Sequence, residues 1–190
     1  SPDDVWKLFD EVGFTREAWV AGIREVPRIY LTNIPVRWKE NSDAIPVVKK
    51  KELFFRLLGP AVLRANELIE VERKKLVGLR EKYRGLTNLE RQSMVALAMK
   101  YKVINKDAVD VTKEHLEELI LRVHPIPVSL ALAQGAEESG WGTSRFALLG
   151  NSLFGQWDFS GKGIIPEQQR KELGNYGLAR FDTPQDAVNA

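Results

Sequence analysis

From Pro127 to Ala136 the chain reads PVSLALAQGA, ten residues with no charge on any helical face. A surface helix carries a polar side, and a helix without one belongs in a core. The pattern therefore predicts a central buried helix beginning at Pro127 and stopped by Gly140. A chain built around such a helix is mainly α. Two glutamates, Glu137 and Glu138, close the apolar stretch. Glu138 lies one turn beyond Gln134 and two beyond Ala131, so it continues their face. Glu137 lies about 100° round the helix, over Ala133 and Leu130. Only one of the two can face a given cleft.

The remainder reads as further helices and one small β region. Ser1 is a good N-cap, Pro2 fits the first helical position, and Asp3 and Asp4 suit the positive helix end. That predicts a helix to about Glu11, closed near Gly13, and a second from Thr15 to about Ile23. Val26 to Trp38, with two prolines and several β-branched residues, reads as an extended connection with a short strand possible. From Pro46 a long apolar periodicity begins, with Leu53, Leu57, Leu58, Val62, Leu63, Leu68 and Ile69 at spacings near three and four. Gly59-Pro60 should kink or split it. Thr87-Asn88-Leu89-Glu90 is a capping box opening a helix to about Lys102. Thr112 caps another, carrying Leu116, Leu119, Ile120 and Val123 and ended by His124-Pro125. After Trp157 the chain becomes glycine-rich, with two short β-capable runs, Gly163–Ile165 and Gly177–Phe181, which predict a small hairpin lobe. Thr183-Pro184-Gln185-Asp186 opens one more helix near the end of the sequence, which suggests a domain incomplete there.

Composition removes several function classes. The 190 residues include 44% hydrophobic ones, enough for a folded core, and the formal net charge is only +2. Acidic and basic residues are interspersed, which is no footprint for nucleic acid, although a weakly basic surface suits an anionic polymer such as cell wall. There is no cysteine, so disulfides, thiolate metal sites and cysteine nucleophiles are excluded. His115 and His124 have no ligand-like partners in the sequence, which argues against a metal and against a nucleophilic triad. Ser160-Gly161-Lys162-Gly163 lacks the spacing of a phosphate loop. No run approaches the ~20 apolar residues of a membrane span. No signal peptide is visible, and the opening at Ser1 leaves room for an export signal already removed.

The glutamates remain as the chemistry-bearing feature. Packed neighbours would desolvate a carboxyl at the end of an apolar helix, and the negative end of the helix dipole adds to that; both favour its protonated form. A protonated carboxyl near neutral pH is what glycosidic cleavage requires, because the leaving oxygen must receive a proton. The plainer alternative is that both glutamates are solvated.

The residues that follow decide between these. Ala133, Gln134, Ala136, Glu138, Ser139, Gly140, Trp141, Gly142 and Ser144, then Asn151, Leu153, Phe154 and Gly155, form the pattern AQ-x-A-x-E-S-G-W-G-x-S … N-x-L-F-G. This resembles the endo-β-N-acetylglucosaminidases of glycoside hydrolase family 73, which include flagellar rod peptidoglycan hydrolases and bacterial autolysins. Within that family the chain looks most like the Bax-type proteins, with FGQW rather than FGxK, a Gly-Ile-Ile-Pro stretch, and a long helical region before the motif. The strong part of the resemblance covers about Pro125 to Val188.

The resemblance implies a lysozyme-like helical domain with a small β-hairpin lobe, here residues 111–190, preceded by a helical N-terminal region, residues 1–110. It implies peptidoglycan glycan strands as the partner, a periplasmic or otherwise exported location in the cell envelope, and no cofactor or metal. It places the general acid on Glu138 and leaves Glu137 on a variable, solvated position. The second carboxylate belongs on the lobe, where Glu167 fits best, Glu172 next and Asp158 third. Gln134 and Ser139 beside the acid are candidates for supporting substrate. Trp141, Phe154 and Trp157 could stack on sugar rings or pack in the core, the plainer role and the better one for Phe154. Asn151 could bind an acetamido group or cap a turn, and Tyr176 could reach in from beyond the lobe. Three activities fit: a hydrolase cleaving the β-1,4 bond after N-acetylglucosamine, a lytic transglycosylase-like enzyme resting on one glutamate, or a wall-binding or assembly protein without turnover.

Overall fold

The computed structural model describes residues 1–35, 38, 44–169, 172 and 174–190. The chain is mainly helical with one two-stranded antiparallel sheet. Among the described residues the helices with stated bounds are α1 (Pro2–Glu11), α2 (Arg16–Val20), α3 (Val47–Glu81), α4 (Asn88–Lys100), α5 (Lys113–Arg122), α6 (Val128–Ser139), α7 (Arg145–Gly150) and α8 (Pro184–Asn189). A 3₁₀ turn at Tyr83–Gly85 follows α3, and the strands are β1 (Trp157–Asp158) and β2 (Gly177–Leu178).

Local side chains set most helix starts. Ser1, Thr87, Thr112 and Thr183 each accept a hydrogen bond from a backbone amide one turn on, completed as capping boxes by Asp4, Glu90, His115 and Asp186. Such caps satisfy amides that the first helical turn leaves unpaired. The imidazole at Thr112 is a variant of the box, with His115 Nδ1 accepting from the Thr112 amide at 3.4 Å. Gly13 and Gly140 end α1 and α6 with φ of +77° and +57°.

Four expectations change. Of the kink or split expected at Gly59-Pro60, the split does not occur: the 35 residues from Val47 form one helix with Pro60 inside it. A proline there costs about 3 kcal/mol or more. Leu57, Leu58, Ala61 and Val62 are each at most 3% exposed around it, and burial stabilises each large side chain by about 1.5–3 kcal/mol, so packing outweighs the lost backbone bond. The second helix is shorter than the sequence suggests, ending at Val20. The described part of residues 26–38 contains no strand; Val36 and Arg37 lie outside the described residues. In the lobe, Trp157 pairs with Leu178 and Asp158 with Gly177, whereas of Gly163–Ile165 only Ile164 bridges, again to Leu178. The turn chemistry of Asp158 explains this choice, as described below.

The chain forms two compact units, one made of residues 1–65 with 127–190 and the other of residues 66–126. In the first, Val5 and Phe9 of α1, Ile34, Trp38, and Leu53, Phe54, Leu57, Leu58 and Val62 of α3 share one core with Ala131 and Ala136 of α6, Ala147 and Leu153. Arg56 is 6% exposed there. Its guanidinium lies 4.1 Å from the Trp6 ring centroid and donates to the Phe14 carbonyl. Burial lowers its pKa, opposed by Glu52 and Asp10. In the second unit, Leu76 and Leu79 pack with Met94 and Ala98 of α4 and Leu116, Leu119, Ile120 and Val123 around α5. Tyr83 donates to the Val111 carbonyl at 2.7 Å and Tyr101 to Glu72 at 2.6 Å.

Candidate active site

The site grows from the end of α6. After Ser139 the backbone takes three successive left-handed residues, Gly140, Trp141 and Gly142, with φ of +57°, +59° and +77°. Glycine adopts this region freely, but a tryptophan there is strained by about 1–2 kcal/mol. The strain is held in place from several sides. The Trp141 amide donates to the Ala136 carbonyl at 2.8 Å, Trp38 Nε1 donates to the Trp141 carbonyl at 3.1 Å, and the Phe54 ring stands edge-on at 5.5 Å. Ser139 ties the helix to the turn: its hydroxyl donates to the Gly135 carbonyl at 2.5 Å and accepts from the Gly142 amide at 2.8 Å.

Two expectations about α6 are corrected here. It buries Ala131, Gly135, Ala136 and Ser139, while Leu130, Ala133, Gln134, Glu137 and Glu138 are exposed. The helix is therefore half-covered rather than buried all round. The desolvation expected around Glu138 is not supplied by its neighbours in the free protein. What distinguishes Glu138 from Glu137 is the loop after α7. Gly155, at φ +64°, passes so close that a Cβ on it would stand 3.0 Å from Glu138 Oε2. The sequence pattern thus places Glu138 and the glycine of Asn-Ser-Leu-Phe-Gly face to face.

The close packing of α6 against α3 has a similar cause. A Cβ on Gly135 would come within 2.7 Å of Leu58 and 3.2 Å of Phe154. Phe154 is half-buried on this contact and belongs to the core margin, so it packs helices rather than presenting a free ring. Ser139 is fully buried with its hydroxyl spent on the turn, so a role in contacting substrate is withdrawn. For Asn151, expected either to bind an acetamido group or to cap a turn, the structure shows the cap. It caps α7 in the left-handed region, accepts from the Ile34 amide at 3.4 Å, and donates to the Phe181 and Asp182 carbonyls at 3.0 and 3.1 Å. It is 7% exposed, and its amide joins three chain segments. Gln134 stays exposed on the same helix as Glu138.

The lobe carries an aromatic face. Trp157, 51% exposed, stacks on Tyr176 with centroids 5.1 Å apart and planes 21° apart, and meets Phe159 at 5.8 Å. Tyr176 itself is largely buried. Among the three candidates for second carboxylate, Asp158 is a turn residue. Its two oxygens accept from the Ser160 amide and hydroxyl, both at 2.9 Å, and the hydroxyl, then the amide, hold its carboxyl below the usual range. That turn is why β1 sits at Trp157–Asp158. Glu167 is exposed and faces Arg145 Nε at 3.7 Å, while Arg145 Nη2 holds the Ile165 carbonyl at 2.6 Å. Glu172 is exposed between residues outside the described set.

Sequence reasoning missed Gln156 and the contribution of α3. The Gln156 side-chain amide donates to the Ala187 carbonyl at 2.9 Å and its main-chain carbonyl accepts from the Ala179 amide at 2.8 Å, fastening the Phe-Gly-Gln-Trp loop to α8 and to the residue after β2. Lys51 and Phe55 of α3 both reach Trp141; their spacing of one helical turn was the only sequence signal. Among the described residues no group of three or more His, Cys, Asp or Glu could hold a metal ion, and no helix is long and apolar enough to cross a membrane.

Residues 113–190 match the glucosaminidase family, described as mannosyl-glycoprotein endo-beta-N-acetylglucosaminidase. The chain is 31% identical over 157 residues to "Protein bax" of Escherichia coli (strain K12), covering 78% of this chain and 54% of that protein. The chain thus spans about half the length of that relative. No solved structure matches.

Proposed function

We propose that this chain, a Bax-type protein carrying a glucosaminidase-family domain, is a peptidoglycan hydrolase cleaving the β-1,4 bond after N-acetylglucosamine. The observation that carries the reading is the approach of Gly155 to Glu138 Oε2, because it sets one carboxyl against bare backbone at the mouth of the motif. Glu138 acts as general acid on the glycosidic oxygen. As the free protein leaves Glu138 exposed, bound glycan supplies the desolvation that favours its protonated form. Glu167, or the acetamido group of the substrate, stabilises the oxocarbenium-like centre. Trp141, Trp157 and Gln134 are the substrate-facing residues that remain available, with Tyr176 acting behind Trp157 as the ring it stacks on.

The catalytic unit in this reading is lysozyme-like and includes α1 and the first part of α3, because those elements share the core of the motif. The family-matched segment from residue 113 is then the part carrying the acid, not a separate folding unit. A cell-envelope location follows from the substrate.

A second reading has one specific observation in its favour: Glu167 is occupied by Arg145. That leaves Glu138 to work alone, as acid and then base, releasing an anhydro sugar as lytic transglycosylases do. Mass spectrometry of muropeptides released from purified sacculi separates the two. Hydrolysis gives products heavier by one water, and N-acetylglucosamine at the new reducing end. Anhydro products establish the transglycosylase. Absence of any release, with retained binding to sacculi, establishes a wall-binding protein.

A further inference from the structure

Lys51 and Phe55 lie one turn apart on α3, outside the segment that matches the family, yet both meet the ring of Trp141 in the turn after Glu138. Phe55 stands edge-on at 5.8 Å and 75°. Lys51 Nζ lies 4.9 Å from the ring centroid. Trp141 is a fixed platform, held by its left-handed backbone, by Trp38 and by Phe54. Phe55 is 42% exposed and Lys51 is exposed. Two neighbouring cations on α3 have carboxylate partners, Lys49 with Asp3 and Arg56 with Glu52; what sets Lys51 apart from Lys50 is its place over the Trp141 ring. Lys51 has no ion pair among the described residues. Its ammonium, over the Trp141 ring, is open to an outside anion.

We propose that Lys51, Phe55 and Trp141 form a subsite for a sugar bearing a carboxylate, reading the glycan strand next to the cleaved bond. The inference rests on peptidoglycan being the substrate. The rings take the apolar C–H face of the sugar, and the Lys51 ammonium donates to the carboxylate. That carboxylate has two sources in such a polymer: the lactyl ether of a stem-free sugar, or the stem peptide, whose attachment converts the lactyl group to a neutral amide. The core positions of α3 are Leu53, Phe54, Leu57 and Leu58, so Lys51 and Phe55 are available for substitution without loss of the fold.

The test compares the full chain with Lys51→Gln, Lys51→Arg and Phe55→Ala on stem-bearing strands, stem-free strands and neutral chitin oligosaccharides. KM and kcat are read for each, and affinity is read by titration calorimetry in a Glu138→Gln background. Lys51→Gln is expected to weaken a carboxylate-bearing strand by about ten- to a hundredfold, as loss of one charge-assisted contact does. It should leave chitin oligosaccharides unchanged. Lys51→Arg should restore most of the affinity, and Phe55→Ala should weaken all three ligands. A Lys51 effect confined to stem-bearing strands identifies the stem as the source, and one confined to stem-free strands identifies the lactyl group. Equal weakening of charged and neutral ligands by Lys51→Gln, or none, overturns the subsite while leaving the hydrolase intact. A wild-type protein that binds charged strands through Lys51 but turns none over upholds the subsite and overturns the hydrolase. One that neither binds nor cleaves any of the three overturns both.

Discussion

Glu138 is exposed, and its carboxyl faces the backbone of Gly155. Removing the charge should therefore spare the fold. Glu138→Gln is expected to melt within a degree or two of wild type and to lose about 10²–10⁴-fold in sacculus digestion, the usual worth of a positioned general acid. Glu137→Gln should keep near wild-type turnover, and the opposite pattern in the same assay would reverse the assignment. Gly155→Ala tests the approach itself. The new methyl would press on Glu138 Oε2 from 3.0 Å and occupy a backbone region at φ +64°, costing about 1–2 kcal/mol. Activity should fall by roughly an order of magnitude or more, since misplacement near reacting groups is expensive, with only a small drop in Tm. Retained turnover in Gly155→Ala would show that the close approach has no catalytic purpose. The sequence pattern named both residues, but only the fold shows that they lie side by side.

The elements show where local rules hold and where packing overrides them. The Gly-Trp-Gly turn is a run of three left-handed residues, so its glycines are dictated by backbone conformation. Gly135 is dictated by contact instead. In a helix, glycine to alanine normally gains about 0.5–1 kcal/mol. At Gly135 the added methyl would meet Leu58 at 2.7 Å, and Leu58 is fully buried, so overpacking of about 1–3 kcal/mol should win. At Gly78 of α3 nothing lies within 4 Å. Chemical denaturation should accordingly show Gly78→Ala stabilised and Gly135→Ala destabilised. A stabilised Gly135→Ala would mean that the two helices can separate at no cost. The same override explains why the Gly59-Pro60 step, which reads as a kink or a split, does not split α3: its core keeps Pro60 inside one helix.

Across the whole molecule, several carboxylates at helix starts and turns are tuned by hydrogen bonds. The Lys82 ammonium, with the Thr87 amide and hydroxyl, lowers Glu90 to about 2. Glu17 and Glu114 are lowered by their own backbone amides and then by Thr15 and Thr112, and Asp158 by Ser160. A carboxyl whose folded pKa lies below its unfolded value binds its proton more tightly when unfolded. Its stabilising contribution is complete above the unfolded value and is lost as pH falls through the folded one. For Glu90 the window runs from 4.5 down to about 2. Tm should therefore be level near neutrality and decline below about pH 4.5, with the decline shallower in Glu90→Gln. A Glu90→Gln protein with an unaltered acid limb would show that the capping box contributes nothing in solution.

What the sequence determined by itself was local: the helix starts at Ser1, Thr87, Thr112 and Thr183, the stop at Gly140, the small lobe, and the run of residues that marks the glucosaminidase family. Caps and turns are interactions between groups three or four residues apart, so they are written in neighbouring letters. The motif carries its own backbone constraints in the same way. Tertiary structure decided the rest. Ser139 and Asn151 lie in the motif and look like ligands, yet their hydrogen bonds are spent on Gly135, Gly142, Ile34, Phe181 and Asp182. The apolar α6 buries only one face, and Phe9, Trp38 and Leu53, distant in sequence, complete its core. Lys51 and Phe55 came to Trp141 by the same route. Contacts of this kind depend on which surfaces meet after collapse, and periodicity shows that a face is apolar without naming the face that will cover it.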